Sequence, residues 1–391
     1  MGMMKYKLKL TSLQKKLINN FYDHYRFTYN RTVGIINSEV ENLNDFSWIK
    51  SLGNIEGKAG YNIYYSKFEL RNMITSEVCN PFSSWVLETP YQLRAYAVFE
   101  AYNRYKTCLA NIKKNHIKFF NLGFKTKKSL RWTMDFPKEN LIIHKSSKNM
   151  FGLYSLSGMI KTTENFKNDI SLHDCKIHFD GIGYYLISPY KKPIKKVSNR
   201  NLWCSIDPGI RKFLTCFSPE DNKITIIGDK ASNKLYNLLL KIDKICSTKP
   251  SKKLKLYKIK LLNKVKNLQN ELHSKSAAFL CNTYKNIVIP KLTKENDIIN
   301  KKTCKLKSKT VRNMVVLGHA KFIELLKTKA NSYTNTKVHI VTEEYTSQTC
   351  LKCCCKTKTS NETFICKSCS YQIDRDVLGS INILKKFWNY M

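Results

Sequence analysis

The sequence predicts an α+β protein of several domains, with a zinc ribbon near its end. Three observations carry that prediction. Apolar residues recur at helical spacing up to about residue 115 and then give way to short strand-like runs. From residue 199 onward, strands and helices alternate. Six cysteines then crowd into residues 350–369. With 391 residues and 42% hydrophobic content, the chain can bury two or three ordinary cores.

Residues 6–10 read as a short strand. Thr11-Ser-Leu-Gln14 follows as a capping box, in which the threonine hydroxyl and the glutamine amide each satisfy an orphan group of a helix start. Ile18, Tyr22, Tyr25, Tyr29, Val33 and Ile36 then mark one apolar helical face, whose tyrosines belong to a core. Residues 91–113 form a second helix, so 11–115 is a helical domain. From His116, "LRWTMDF", "NLIIHKSS", "FGLYSL" and "KIHFDGIGYYLISPY" read as strands, with Asp180-Gly181 as a hairpin turn. Residues 1–10 and 116–198 are therefore assigned to a small β-barrel-like domain that closes in the linker "KKPIKKVSNR".

The remainder, 199–391, opens with "LWCSIDPGIRKFLTCFSP", two strands about a sharp turn at Asp207-Pro-Gly209. Leu235, Leu239, Ile242 and Ile245 mark one long helix; Leu261, Val265, Leu268 and Leu272 mark a second at heptad spacing, with "STKPSKK" turning between them. "YKNIVIPKL" is a buried strand, "VRNMVVLGHAKFIELLKTKAN" a helix, "KVHIVTEEY" a strand, and the C-terminal "VLGSINILKKFWNYM" a helix.

Charge narrows the classes of partner. Lys and Arg number 68 against 29 acids, a formal charge of +39. Self-repulsion on that scale calls for a polyanion, and nucleic acid binding that weakens steeply with salt is expected. No apolar run is long enough to span a bilayer, and the N-terminal residues lack a signal-peptide core, so no membrane partner is expected. Fourteen cysteines without a secretion signal point to reduced thiols and metal ligation; eight are scattered and read as small buried hydrophobes.

Cys350-x2-Cys353 and Cys366-x2-Cys369, twelve residues apart, have the spacing of two metal-binding knuckles. Each tight turn aims two thiolates at one ion, and two turns complete a tetrahedral Zn2+ site. Four protein ligands close that site, so its role is structural. Cys354 and Cys355 compete for the same ion or stand by as spectators; the symmetric spacing favours 350, 353, 366 and 369.

Folding of this loop allows Glu343 and Asp376, 33 positions apart, to meet. Asp207, at the end of "LWCSID", supplies a third acid from a sheet edge. Three converging carboxylates suit Mg2+, and two such ions can clamp the attacking and leaving oxygens of a phosphodiester. Taken singly, each acid has a structural reading: Asp207-Pro-Gly as a turn, Asp374 as a helix cap or arginine partner.

"YTSQTC", the two C-x-x-C pairs and "DRDVLGSINI" together resemble the C-terminal signature of the transposon-encoded TnpB proteins, and "IDPGIRKF" resembles their first nuclease motif. The likeness extends to "FKTKK", "ELHSKSA" and the N-terminal "YNR". TnpB carries a catalytic glutamate on the strand read here as "NIVIPKL", where this chain has Pro290. The chain instead resembles Fanzor, the eukaryotic and viral relatives, whose glutamate lies just before the YTS motif. That selects Glu343, with Glu344 as understudy and Glu295 in reserve. The resemblance implies a RuvC-like core of RNase H fold (199–391, ribbon at about 345–372), with Asp207, Glu343 and Asp376 as catalytic Mg2+ ligands in a two-metal site and Asp374 in support. It implies an RNA-guided DNA endonuclease that takes a guide RNA and target double-stranded DNA beside a short motif. The helical segment (recognition, REC-like) and the β domain (WED-like) are expected to hold the duplex. Leu378 departs from the family's asparagine. A transposase using the same acids for strand transfer, or a binding protein with a decayed site, are the other readings. The resemblance also implies an intracellular protein, expected in the nucleus of a eukaryotic or virus-infected cell.

Overall fold

A computed structural model describes the chain except for residues 1, 45–64, 76–83, 155–157, 167–172, 192, 198–199, 292–307, 360 and 390–391. Glu295, the reserve acid, lies outside the described residues. The fold is mixed α and β, in two compact units, Met1–Lys192 and Pro193–Met391. The division falls within "KKPIKKVSNR". No helix among the described residues is long and apolar enough to cross a membrane.

In the first unit, β1 (Gly2–Lys9) leads into α1 (Ser12–Asn44). The helix starts on a reciprocal cap: the Thr11 amide donates to Gln14 Oε1 at 3.1 Å, and the Gln14 amide to Thr11 Oγ1 at 3.2 Å. The whole apolar stripe from Ile18 to Ile36 is buried. It packs with α2 (Lys67–Thr75) and α3 (Tyr91–Lys113). The strands β2 (Trp132–Phe136), β3 (Leu141–Ile143), β4 (Met150–Leu153), β5 (Met159–Thr162), β6 (Cys175–Phe179) and β7 (Tyr184–Tyr190) join β1 in one sheet, ordered β2-β6-β7-β1-β5-β4-β3. β1 sits at its middle, pairing antiparallel with β7 from Gly2↔Tyr190 and with β5 at Leu8↔Thr162. Helices and sheet share one hydrophobic core, which runs from Tyr25 and Tyr105 to Met134, Phe151 and Leu186.

Between α3 and β2 the chain has no regular structure, and two asparagines of α1 substitute for a strand partner. Asn37 exchanges hydrogen bonds with the backbone of Leu122 (2.9 and 3.0 Å), and Asn30 does the same with Lys125 (2.8 and 2.9 Å). The "YNR" and "FKTKK" segments are thus tied together through Asn30.

The second unit is built on a five-stranded sheet of order β10-β9-β8-β11-β12. Its strands are β8 (Asn201–Pro208), β9 (Leu214–Ser218), β10 (Lys223–Ile227), β11 (Tyr284–Pro290) and β12 (Lys337–Val341). The first three form an antiparallel meander, whereas β8, β11 and β12 run parallel. Helices α4 (Ala231–Cys246) and α5 (Lys252–Thr283) form the long pair, and Ser251 caps α5 by accepting from the Leu254 amide. One expectation needs correction. The single helix expected over "VRNMVVLGHAKFIELLKTKAN" is two, α6 (Ser308–Leu317) and α7 (His319–Ala330). Gly318 between them is left-handed (φ 60°), a conformation that ends a helix and that glycine adopts without steric cost. After β12 comes a small hairpin, β13 (Thr363–Ile365) and β14 (Gln372–Asp374), and then α8 (Arg375–Trp388).

Candidate active site and cysteine cluster

The carboxyl ends of parallel strands are where open α/β sheets place ligands. Asp207 sits near that end of β8, opposite Thr215 of β9. Glu343 lies two residues beyond the end of β12, in the loop that follows rather than on the strand itself. β11 runs between these strands and reaches the same edge at Pro290, paired with Val341. Glu343 thus stands just past the strand that neighbours Pro290. Asp376 enters from above, in the first turn of α8, which packs across β8, β9 and β11.

Glu343 and Asp376 lie near enough to Asp207 for their charges to act on it. The Asp207 carboxyl is pushed up to about 8, by burial first and then by the negative charges of Asp376 and Glu343, with Arg375 opposing. Burial also raises Glu343. Glu344 is exposed, and its backbone carbonyl accepts a hydrogen bond from Lys386 Nζ at 3.2 Å. Glu343 therefore stands in the carboxylate cluster and Glu344 at its outside.

Each acid is held from behind. Ser205 Oγ donates to the Ser380 carbonyl at 2.7 Å, fixing α8 to β8. Asn382 reaches from α8 to the carbonyls of Thr346 and Thr349, at 2.8 and 2.7 Å, and so fixes the loop after Glu343. Thr346 Oγ1 donates to the Glu343 carbonyl at 2.8 Å. Asp374 is the helix cap: its Oδ1 accepts from the amides of Asp376 and Val377, at 2.9 and 3.1 Å. Its other oxygen meets Lys212 Nζ at 2.7 Å, so its charge partner is a lysine.

Two contributors were not singled out from the sequence. Lys212, in the β8–β9 turn, also stands 3.7 Å from Asp376 and is a built-in cation among the acids. Gly379 is the second. A Cβ there would strike the Asp207 carboxylate, 3.0 Å from its carboxyl carbon and nearer still to Oδ2. Glycine inside a helix costs about 1 kcal/mol relative to alanine, and this unexplained expense was its one signal in the sequence.

The four expected sulfurs come together. Sγ atoms of Cys350, Cys353, Cys366 and Cys369 all lie within 4.8 Å of one another, with Cys350–Cys369 at 3.6 Å and Cys353–Cys366 at 3.4 Å. A tetrahedron with Zn–S bonds of about 2.3 Å has edges of about 3.8 Å, so the set can hold such an ion with little movement. Against the desolvation that would raise it, amides of Cys369 and Ser368 hold the Cys366 thiol down at about 6.

The knuckles repeat one another bond for bond. The Cys354 amide donates to the Cys350 carbonyl as the Ser370 amide does to that of Cys366. The Cys350 amide donates to the Cys355 carbonyl as the Cys366 amide does to that of Tyr371. Cys354 and Ser370 share the same left-handed φ of 58°. Cys354 and Cys355 are thus the counterparts of Ser370 and Tyr371, and both are exposed, outside the sulfur cluster. Of the scattered cysteines, Cys175, Cys204, Cys216 and Cys281 are buried, Cys108 is half-buried and Cys246 exposed. Leu378 is buried with Phe364, Cys350 and Cys366, joining the ribbon to α8.

Residues 319–383 match the family model "Cas12f1-like, TNB domain". A625R of Paramecium bursaria Chlorella virus 1, which carries a transposase name, is 26% identical over 98% of this chain and 86% of its own length. The TnpB-like protein L79 of Acanthamoeba polyphaga mimivirus is 27% identical over 97% of this chain and 72% of its own. The relatives matched along nearly the whole of this chain are viral proteins named TnpB-like or putative transposase. Among solved structures, a Cas12f1-sgRNA-target DNA complex aligns with a TM-score of 0.47 and 15% identity, covering 92% of this chain and 81% of that one.

Proposed function

We propose that this TnpB-like chain is an RNA-guided DNA endonuclease whose RuvC-type site consists of Asp207, Glu343 and Asp376. The observation that carries the proposal is the crowding of three carboxylates at one sheet edge in a protein of charge +39. A buried carboxyl under the negative charge of two neighbouring acids is poor company for a phosphodiester unless a cation joins them. The donor set is all oxygen, which fits hard divalent Mg2+. When bound, two such ions would supply a polarised water and charge neutralisation at the phosphate.

The chain's own residues then have separate tasks. Asp207, on a strand held on both sides, gives the rigid ligand. Glu343 and Asp376 give ligands from a loop and a helix that Asn382 ties together. Asp374 keeps the α8 terminus in place, and Lys212 neutralises Asp374 and Asp376 and can meet a phosphate oxygen. The cysteine cluster, as a structural Zn2+ site, fixes the hairpin between Glu343 and Asp376. The first unit, helical and β parts together, is assigned to the guide RNA and target DNA through their backbones. With DNA of a eukaryotic or virus-infected cell as its substrate, the protein is assigned to the nucleus.

The test begins with co-expression of the chain with the DNA flanking its gene, purification through high salt, and sequencing of the retained RNA. One RNA with a constant scaffold and an end matching the flank is expected. DNA matching that end should then be cut with Mg2+, and Asp376→Ala should abolish cutting while leaving nucleic-acid affinity nearly unchanged. Cutting by that variant would remove Asp376 from the site. Joining of the element's ends without any bound RNA would instead favour a transposase, as the A625R name suggests.

A further inference from the structure

The turn that carries Asp207 is gripped from outside the sheet. The Gly209 amide donates to the Phe213 carbonyl at 3.2 Å, closing the turn, and the Phe213 amide donates to the Gly228 carbonyl at 3.3 Å. A Cβ on Gly209 would lie 2.7 Å from the Lys212 carbonyl oxygen, so the turn is as tight as glycine permits. The Gly209 carbonyl meets His319 Nε2 at 3.0 Å. Phe213, at the other end of the turn, is fully buried and nearly parallel to two imidazoles. His319 stacks on it at 4.9 Å and 14°, and His273 at 5.4 Å and 12°.

Neither imidazole is free to drift. His273 Nε2 is 2.7 Å from the Leu317 carbonyl, and Gln269 Nε2 donates to that of Val316 at 2.7 Å. Two side chains of α5 thus satisfy carbonyls at the end of α6. The break at Gly318 follows, and it starts α7 at His319, against the turn. A carbonyl can only accept, so each histidine donates through Nε2–H; the Nδ1 atoms of both are buried without a hydrogen-bond partner among the described residues. Burial lowers both, His319 to about 4, and the rings stay neutral.

We infer that His319 is a positioning residue for Asp207: with Phe213 and His273 it forms a clamp that sets the β8–β9 turn, and with it the carboxylate, before any cation or substrate arrives. The inference rests on the metal-site reading of Asp207, Glu343 and Asp376. It explains why a helix breaks in mid-run and why two neutral histidines are buried around one phenylalanine. Preorganised ligands of this kind raise affinity without touching the ion.

The test uses the zinc-loaded full chain and Mn2+ as probe, with Asp207→Asn defining binding at the carboxylates. His319→Met fills the space but cannot donate; His319→Gln restores an N–H. Mn2+ affinity at the carboxylates is expected to fall about tenfold in His319→Met, the scale of one lost hydrogen bond to a ligand's support, and to return to within about threefold in His319→Gln. Equal affinity in all three would overturn the inference. Hydrogen exchange on the metal-free proteins reads the clamp alone. The Gly209 and Phe213 amides should exchange faster in His319→Met than in wild type and His319→Gln, with β11 unchanged; equal protection overturns the clamp. Wild-type protein that binds no Mn2+ at Asp207 would defeat the metal-site reading, a result separable from the exchange data.

Discussion

Asp207→Asn is expected to stabilise the protein when divalent ions are absent. Burial and the neighbouring acids push the Asp207 carboxyl up to about 8 in the folded chain, whereas an unfolded aspartate titrates at about 3.9. Between those values the folded chain holds a proton that the unfolded chain has released. The contribution to stability is therefore fully present below pH ~4 and is lost as pH rises through about 8. A displacement of roughly four units at ~1.4 kcal/mol each caps the loss at about 5–6 kcal/mol. Asp207 retains some solvent contact, and screening there reduces the expected loss to about 2–3 kcal/mol at pH 8.

Asparagine keeps the shape and carries no charge. Scanning calorimetry in magnesium-free, zinc-replete buffer should show the variant melting higher than wild type at pH 8. For a unit of this size, about 2–4 °C per kcal/mol gives a gain of roughly 5–10 °C. At pH 5 the gain should shrink to about 2 °C, since most of the wild-type carboxyl is then protonated. Millimolar Mg2+ should raise the wild-type midpoint and leave the variant where it was. A variant that melts at or below wild type at pH 8 would refute the electrostatic account of this site.

Three other outcomes are expected. Cys366→Ser should lose about one zinc per chain by metal analysis and should speed proteolysis of residues 345–372, because Phe364 and Leu378 lose the cluster they pack against; full zinc content would reopen the case for Cys354 or Cys355. Gly379→Ala should raise the helical propensity of α8 by about 1 kcal/mol yet abolish Mg2+-dependent cutting, because its Cβ displaces the Asp207 carboxylate; retained cutting with wild-type kinetics would show that Asp207 can move without consequence. Asn37→Ala should cost about 2–3 kcal/mol in urea unfolding of the first unit, since it leaves the Leu122 amide and carbonyl without their partner; an unchanged midpoint would mean water replaces the asparagine.

Legibility in the sequence followed the range of the forces involved. The Thr11–Gln14 cap, the tyrosine stripe of α1, the Asp180-Gly181 turn and the knuckle cysteines are local patterns, and each occurs at its expected residues. β5 is not legible because Ile160 is its one buried apolar residue, and its order comes from pairing with β1 and β4. The α6–α7 break at left-handed Gly318 is masked in the sequence because apolar spacing continues through it, and the side chains that hold the freed carbonyls, Gln269 and His273, lie on a distant helix. Lys212 and Gly379 were hidden for the same reason: each matters through a neighbour distant in sequence. Leu378 was marked as a departure from the family pattern and proves to be a packing residue between ribbon and helix.

The central place of β1 has a consequence for how the chain comes off the ribosome. Its two partners lie about 150 and 180 residues downstream, at Thr162 and Tyr190. Gly2–Lys9 must therefore wait, unpaired and partly apolar, while α1, α2 and α3 are made and begin to associate. Contacts of that separation are slow to form, and a waiting strand can pair with the wrong edge. Translation of roughly ten residues per second makes the wait about fifteen seconds, long enough for a chaperone to matter. Ribosomes stalled before residue 184 should therefore display a nascent chain with formed helices and a protease-sensitive N-terminal strand, and those stalled well past residue 190 should not.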